Sequence, residues 1–150
     1  MNSNSPEVSI IIRTRNEERW IAHCLEAIFN QNFDNFEVIL VDNNSTDHTV
    51  EIAKRYPIST IVRIDKFLPG RAINDGIRAS TGNYIACISA HCIPKDGQWL
   101  SSLYNSLKSN QKIAGVYGRQ LPLSFTSDAD KRDLLITFGL DKKIQVKDYF

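Results

Sequence analysis

The fold is decided by the stretch Val8-Ser9-Ile10-Ile11-Ile12-Arg13-Thr14-Arg15-Asn16-Glu17-Glu18, in which a mostly β-branched run passes directly into a charged segment. The nearly continuous apolar run at 8–12 predicts a strand covered on both faces, as in parallel sheets. Residues 16–18 then open a helical pattern, in which four apolar residues form one buried stripe: Ile21, Cys24, Leu25 and Ile28. The sequence therefore predicts a strand, a charged loop and a helix, in that order.

The same order of strand and helix recurs along the chain. Four more apolar runs of strand length, with helical patterns between them, predict strands at 36–41, 59–64, 84–88 and 113–117. Strands that alternate with helices through short loops form right-handed βαβ units and a mainly parallel sheet. The predicted fold class is therefore α/β, with a mainly parallel central sheet and helices on both faces.

The composition excludes several classes of protein. The 150 residues include 18 basic and 17 acidic side chains, a net charge of +1, and 42% of them are hydrophobic. A sequence-independent nucleic-acid binder usually needs a clear surplus of positive charge, so we expect no nucleic-acid partner. A hydrophobic fraction of this size supplies a core and excludes an intrinsically disordered chain.

The cysteines and the apolar runs bear on the cellular location. Cys24, Cys87 and Cys92 form neither an even set nor a Cys-x-x-Cys pair, and residues 1–6 lack the apolar core of a signal peptide. No apolar run approaches the ~20 residues that span a bilayer. We therefore predict reduced thiols, no transmembrane segment and a cytoplasmic location, which includes a peripheral position at the membrane.

Polar and charged residues follow four of the predicted strands, where open α/β sheets bind their ligands. These segments are 13–17, 42–45, 66–71 and 89–94. Neither Gly-x-Gly-x-x-Gly nor a Gly-x-x-x-x-Gly-Lys-Ser/Thr phosphate loop is present, which argues against the two commonest phosphate cradles. The carboxylates of Glu17 and Asp42 are suited to accept hydrogen bonds from a base or a ribose hydroxyl. The guanidinium groups of Arg13, Arg15 and Arg71 are suited to bind phosphates.

Four motifs lie in the same order as in a known enzyme family. They are 8–18, Val41-Asp42-Asn43-Asn44-Ser45-Thr46-Asp47, Asn74-Asp75-Gly76-Ile77 and Thr81-Gly82-Asn83-Tyr84-Ile85. From about Val8 to Arg119 the chain resembles the nucleotide-sugar-binding half of family 2 glycosyltransferases. The resemblance implies the GT-A fold, the Rossmann-like fold of nucleotide-diphospho-sugar transferases.

The resemblance also implies an activity. It implies an enzyme that transfers a sugar from a nucleoside-diphosphate-sugar of the UDP, GDP or dTDP type, with inversion at the anomeric carbon. The implied acceptor is a glycan or a lipid-linked molecule, and the implied setting is polysaccharide or glycolipid biosynthesis. Carried over by position, nine residues are expected to bind the nucleotide: Arg13, Thr14, Arg15, Glu17, Asp42, Asn43, Arg71, Asn74 and Ser89.

One segment departs from the family pattern. Ser89-Ala90-His91 stands where the family has the Asp-x-Asp motif that binds a divalent metal and the diphosphate. Mg²⁺ prefers oxygen ligands, whereas a neutral imidazole suits Mn²⁺ better. Two roles are open for His91: a ligand of Mn²⁺ or Mg²⁺, or an imidazolium that stabilises charge on the leaving group.

The catalytic base of the family is an acidic residue in a motif beyond the matched half. The acidic residues after 119 lack that context, so we predict that the base lies beyond Phe150. Residues 1–120 are predicted to form the donor-binding domain. Residues 121–150 are predicted to begin the acceptor and catalytic region and to be partly disordered. The chain is then expected to be an incomplete enzyme, inactive alone.

Other interpretations of the same residues stay open at this point. The absence of acids at 89 and 91 also fits a nucleotide-binding module without transferase activity. A nucleotidyltransferase is a third candidate, although the loop at 13–17 lacks the glycines of its phosphate loop. Asp42 is also explained as a residue that forms a turn, and Glu17 as a charge that favours a helix start. His91 is also explained as a polar residue of a loop.

Overall fold

The computed structural model describes residues 5–66 and 68–141. Strands and helices alternate along them: β1 (Val8–Thr14), α1 (Ile21–Phe29), β2 (Phe36–Asp42), α2 (Thr49–Ala53), β3 (Thr60–Arg63), α3 (Pro69–Arg78), β4 (Tyr84–Ser89), α4 (Trp99–Lys108) and α5 (Asp128–Phe138). Within this described part, none of the helices is long and apolar enough to cross a membrane. The four strands are parallel and form one sheet in the order β3-β2-β1-β4, which confirms the predicted α/β class.

Strand β1 lies inside the sheet and aligns the strand ends. It pairs with β2 on one side and with β4 on the other, so Thr14 lies opposite Asp42 and Arg13 lies opposite Ser89. The chain builds outward from β1 to β3 and then returns to the other side of β1 for β4. In open α/β sheets such a reversal of strand order opens a crevice at the carboxyl ends. We call the region between the carboxyl ends of β1 and β4 the β1–β4 corner.

The core has one layer of side chains on each face of the sheet. Ile10 and Ile12 pack in the layer that includes α1, whereas Ile11 packs in the layer that includes α3. All three isoleucines are fully buried, which explains why 8–12 is apolar at nearly every position. The apolar stripe predicted for α1 is buried as expected: Ile21, Cys24, Leu25 and Ile28.

Helix α3 packs closely against the sheet at Gly76. A Cβ at this position would lie 2.5 Å from Ile11 Cγ2 and 2.9 Å from Val41 Cγ2. Real Cβ atoms do not approach other atoms so closely, so the packing of α3 needs a residue without a side chain here.

At the amino ends of the strands, Glu37 joins β1, β2 and the loop before β4. Its Oε1 accepts hydrogen bonds from Ser9 Oγ (2.7 Å), from Thr81 N–H (2.6 Å) and from Thr81 Oγ1 (3.0 Å). Ser9 Oγ in turn accepts one from Gly82 N–H at 2.9 Å. Burial raises the pKa of Glu37, but these hydrogen bonds lower it further, so the net pKa lies below its ordinary value of 4.5. An ionised carboxylate therefore holds the start of β4 against the sheet.

Two local predictions are wrong. Residues 113–117 form no strand, and Tyr117 is 68% exposed. An apolar run becomes a strand only where its backbone groups find a partner strand, and none of the described residues pairs with this segment. Helix α1 begins at Ile21, not at 16–18. Asn16 has a φ of 52°, which lies outside the α-helical region, and residues 18–20 form a turn before the helix.

The chain divides into two compact units, residues 1–105 and 106–150. The first contains the whole sheet with α1 to α3, and the second contains α5. The predicted boundary at residue 120 is a boundary between donor binding and acceptor binding. The division into compact units does not test these functions, so the boundary stays a prediction. Residues 142–150, part of the segment predicted to begin the acceptor region, lie outside the described residues.

Gly76→Ala is expected to lower the free energy of unfolding by about 1–3 kcal/mol, because overpacking forces α3 or its neighbours to shift. Urea unfolding followed by circular dichroism measures this loss. Gly70→Ala is the matched control on α3, since nothing lies within 4 Å of the added Cβ there. Its stability is expected to be unchanged or slightly higher. Equal losses in the two variants would contradict the close contact at Gly76.

Glu37→Gln is expected to unfold more easily than the wild type at neutral pH, because the amide keeps an acceptor oxygen but loses the charge. A carboxylate with a lowered folded-state pKa stabilises the fold above its unfolded pKa, and this contribution is lost as the pH falls through the folded value. The difference between the two proteins should therefore shrink below pH 4.5. Denaturant unfolding over a series of pH values measures it, and a difference that is constant at every pH would exclude the charge as its source.

Candidate functional site

The β1–β4 corner brings together four of the residues predicted to bind ligand. Arg13 Nη2 donates to Ser89 Oγ at 3.3 Å. Just beyond the strand ends, Glu17 Oε1 lies 2.8 Å from His91 Nδ1. The Glu17 side chain is 21% exposed and that of His91 is 56% exposed, so the histidine forms the open side of the pair. One ring nitrogen of His91 is thus oriented by Glu17, and Nε2 takes no part in this contact.

The ends of β1 and β2 form a second corner, which holds buried polar residues. Thr14, Asp42 and Asn43 are at most 5% exposed. Asp42 Oδ1 accepts a hydrogen bond from Ser45 Oγ at 2.5 Å, and Ser45 N–H lies 3.3 Å from both carboxylate oxygens. Thr14 Oγ1 is buried and has no hydrogen-bond partner within the described ranges. Asp42 is therefore a turn former, and its oxygens retain lone pairs for a ligand.

The loops after β1 and β2 are joined by reciprocal hydrogen bonds, which we call the loop clasp. Five backbone N–H groups donate to side chains of the opposite loop: Asn16 to Ser45 Oγ (3.0 Å), Glu17 to Thr49 Oγ1 (2.7 Å), Glu18 to Asp47 Oδ2 (3.1 Å), Thr46 to Asn16 Oδ1 (2.8 Å) and His48 to Glu18 Oε2 (3.0 Å). The N–H groups of 16–18 are thereby bound by side chains of the other loop. Asn16 and Asn44 adopt φ values of 52° and 49°, a left-handed conformation that asparagine tolerates well.

Charge strengthens the loop clasp. Hydrogen bonds from the backbone and side chain of His48 lower the pKa of Glu18, and the bond to Glu18 raises the pKa of His48. Burial raises the pKa of Asp47, but hydrogen bonds from Thr49 and Glu18 lower it further, so the net pKa is low. Both carboxylates are therefore ionised at neutral pH, where their hydrogen bonds to backbone N–H groups are strongest.

Two cavities lie beside these loops. The larger, of about 530 Å³, is lined by Asp42, Asn44, Ser45, Thr46, Asp47, Val50, Glu51, Lys54 and Arg63. The smaller, of about 340 Å³, is lined by Arg63, Ile64, Asp65, Lys66, Arg71 and Asp75. Both combine cations with carboxylates, which suits a ligand that has anionic groups and hydrogen-bond donors.

Three predicted residues take no part in the hydrogen bonds of the two corners. Arg71, on α3, lines the smaller cavity, and its Nε lies 3.7 Å from Asp75 Oδ2. Arg15 and Asn74 are exposed and line neither cavity. Within the described residues, the structure forms no hydrogen bond between these three side chains and the other seven.

Sequence reasoning missed the loop clasp and Arg63. The available signal for the clasp was the run of turn and cap formers at 42–49, because such side chains bind nearby backbone N–H groups. Their partners lie about 30 residues away, which no local pattern reveals. Arg63 borders both cavities, and its signal was its position as the last residue of a strand.

The donors at the β1–β4 corner do not fit a Mg²⁺ or Mn²⁺ site. Ser89 Oγ accepts from a guanidinium, and His91 uses Nδ1 for Glu17. Across residues 5–66 and 68–141, no group of three or more His, Cys, Asp or Glu side chains is arranged to hold a metal ion. Hard divalent cations prefer several oxygen ligands, carboxylates above all. We therefore assign no chemical step to a metal at His91.

The open parallel sheet with polar strand ends defines a Rossmann-like α/β protein, and comparison with known proteins identifies its family. The model of Glycosyl transferase family 2 matches residues 9–147. The chain is 33% identical over 122 residues to dolichyl N-acetyl-alpha-D-glucosaminyl phosphate 3-beta-D-2,3-diacetamido-2,3-dideoxy-beta-D-glucuronosyltransferase of Methanococcus voltae, covering 74% of this chain and 38% of that protein. It is 31% identical over 152 residues to poly(ribitol-phosphate) beta-glucosyltransferase of Bacillus spizizenii, covering 89% and 24%. The chain belongs to glycosyl transferase family 2.

Solved structures share the fold. The crystal structure of S. aureus TarS 1–349 in complex with UDP-GlcNAc matches with a TM-score of 0.63 at 24% identity, over 79% of this chain and 37% of that one. Mannosyltransferase PcManGT from Pyrobaculum calidifontis, in complex with GDP-Man and Mn²⁺, matches with the same score and identity, over 70% and 33%. These matches confirm the GT-A fold. The chain spans between 24% and 38% of the length of the two curated relatives.

Thr49→Val is expected to lower the free energy of unfolding by about 1–3 kcal/mol, because it leaves buried polar partners unpaired. The Thr49 hydroxyl is fully buried, accepts from Glu17 N–H and donates to Asp47. Denaturant unfolding measures the loss. Thr60→Val, at an exposed position of β3, is the matched control and is expected to change stability by less than about 0.5 kcal/mol. A stable Thr49→Val would mean that the loop clasp contributes little to the fold.

Proposed function

We propose that the carboxyl edge of this sheet binds a nucleoside-diphosphate-sugar of the UDP, GDP or dTDP type. The protein transfers the sugar, with inversion, to a glycan or lipid-linked acceptor. The observation that carries the proposal is the β1–β4 corner, where strand order reverses and predicted ligand-binding side chains meet. Membership of the family supports it, as do the UDP-GlcNAc and GDP-Man in the similar structures. The names of the relatives, with poly(ribitol-phosphate) and a dolichyl phosphate, support polysaccharide or glycolipid biosynthesis.

The nucleoside is assigned to the corner between β1 and β2. Asp42 lines the cavity of about 530 Å³, a volume within the usual range for small-molecule sites. Its carboxylate accepts hydrogen bonds from a base imide or a ribose hydroxyl, and Asn43 stands next to it with an amide. Thr14 adds a buried hydroxyl that no described group uses. Arg15, exposed in the loop after β1, is assigned to the solvent side of the same ligand.

We assign the binding of the diphosphate to arginine side chains. Arg13 stands at the β1–β4 corner and Arg71 at the smaller cavity, with Asn74 one helical turn further along α3. In an inverting transfer, the acceptor oxygen bonds to the anomeric carbon while the bond to the diphosphate breaks. The nucleoside diphosphate leaves with the electron pair of that bond, and nearby cations stabilise the charge. The base that removes the acceptor proton is assigned to the protein beyond Phe150, and residues 121–150 to the start of the acceptor region.

A cytoplasmic location is part of the proposal. Cys24, Cys87 and Cys92 are free thiols. Burial raises the pKa of Cys24 to about 12, so this thiol stays protonated and unreactive. Unpaired cysteines are typical of a reducing compartment, where disulfides are rare.

Calorimetric titration of the folded protein with UDP, GDP and dTDP is expected to show binding of at least one of them. Asp42→Asn is expected to weaken that binding by about 1–3 kcal/mol, because a donor on the ligand loses its charged acceptor. The matched control is Asp34→Asn, which changes an exposed aspartate in the loop before β2, at the opposite edge of the sheet, and should bind as the wild type does.

Two results would contradict the proposal at different points. If none of the three nucleotides binds, with or without Mn²⁺, donor binding is excluded. If Asp42→Asn is folded and binds as tightly as the wild type, the nucleoside lies elsewhere.

A further inference from the structure

At Ser89 the β1–β4 corner carries a fixed positive charge, that of Arg13, where a metal ligand would carry a negative one. Arg13 Nη2 donates to the hydroxyl of Ser89, the first residue of the segment that replaces Asp-x-Asp. A guanidinium stays protonated at every physiological pH. Carboxylates attract a divalent cation, whereas a guanidinium at the same point repels it. The charge at this point is therefore of the sign that binds phosphate directly.

Arg13 has binding capacity that the protein does not use. Its Nε is buried and lacks a hydrogen-bond partner, and no carboxylate within the described residues pairs with its guanidinium. A cation that is partly removed from water without a counter-charge destabilises the protein. An anionic ligand at the β1–β4 corner would supply both the missing acceptor and the missing charge.

His91 is the second group at this corner, and Glu17 holds it in place. Glu17 Oε1 lies 2.8 Å from His91 Nδ1, while Glu17 N–H is itself bound by Thr49 Oγ1 at 2.7 Å. A carboxylate that accepts from one ring nitrogen sets the tautomer and the orientation of the ring, and directs the other nitrogen to a ligand. The Glu17 carboxylate is thereby engaged with a histidine and not with a metal.

We propose that this chain holds the donor diphosphate through Arg13 and His91 without a divalent metal, and that Glu17 positions the His91 ring. This inference rests on the proposed function and goes beyond it. It distinguishes the chain from PcManGT, whose structure contains GDP-Man together with Mn²⁺. It also changes the role of Glu17, which acts through His91 and does not touch the nucleotide.

The first test is the effect of metal on nucleotide affinity. UDP, GDP and dTDP are titrated calorimetrically into the protein in EDTA, and again with Mn²⁺ or Mg²⁺ present. The dissociation constant of the nucleotide that binds is expected to change by less than about tenfold between these conditions. A gain of tenfold or more with either metal, or binding that needs metal, overturns the inference and leaves the proposed function intact. An absence of binding in every condition refutes the proposed function itself.

The second test removes the two groups. Arg13→Gln and His91→Ala are each expected to weaken nucleoside-diphosphate binding in EDTA by about tenfold or more, while binding of the matching monophosphate weakens less. Arg55→Gln and His23→Ala are the matched controls, since Arg55 is exposed in the turn after α2, His23 is exposed on α1, and neither is hydrogen-bonded to a residue of this corner. Circular dichroism checks that each variant is folded. Wild-type diphosphate affinity in folded Arg13→Gln or His91→Ala overturns the inference.

The third test asks whether Glu17 acts through His91. Glu17→Gln keeps an acceptor for the ring N–H and is expected to retain most of the affinity, whereas Glu17→Ala is expected to lose about as much as His91→Ala. In the double variant Glu17→Ala/His91→Ala the two losses should not add, because one group acts by way of the other. Full additivity would show that Glu17 contributes independently, and the positioning role would be wrong.

Discussion

Hydrogen bonding of β1 on both sides, together with burial of both its faces, is the constraint on which the rest of the structure depends. The register with β2 and β4 brings Thr14 level with Asp42 and Arg13 level with Ser89. Successive side chains of a strand point to opposite faces, so a shift of one residue would exchange the environments of Ile12 and Arg13. The core therefore decides where the charged side chains at the strand ends lie, even though those side chains contribute little to it.

Beyond the strand ends, hydrogen bonds rather than apolar packing hold the loops together. The loop clasp links the loops after β1 and β2, and the pair of Glu17 and His91 links them to the loop after β4. Glu17 belongs to both sets of hydrogen bonds. Its backbone N–H donates to the Thr49 hydroxyl in the loop clasp, and its carboxylate holds His91. The same hydrogen bonds thus order both the loops and the corner assigned to the diphosphate.

Periodicity predicted β1 and β2 because burial restricts the residue type at nearly every position of these strands. It predicted α1 from one buried apolar stripe, and β4 from an apolar run in which Ile85 and Cys87 are exposed. It failed at 113–117, where an apolar run is present but none of the described residues provides a partner strand. The prediction also placed the start of α1 too early. An asparagine or glutamate before an apolar stripe gives the same sequence pattern whether it begins the helix or binds another loop. That seven candidate site residues meet at the strand ends was predictable from topology, because parallel strands bring their carboxyl ends to one edge. Asn74 was predicted from family position alone, and Arg15 also from its charge directly after the first strand; both side chains are exposed.

The sequence by itself determined the α/β class, the parallel order of strands and the edge at which polar residues gather, because these follow from which residues must leave water. Only the tertiary structure decided which polar groups meet. Arg13 reaches Ser89 across 76 residues, and Glu17 reaches His91 across 74. A hydrogen bond depends on atomic positions within a few tenths of an ångström, and here the strand register and the loop clasp set those positions. For this reason the cation beside Ser89, where family resemblance implies an acid, emerges from the fold and not from any single motif.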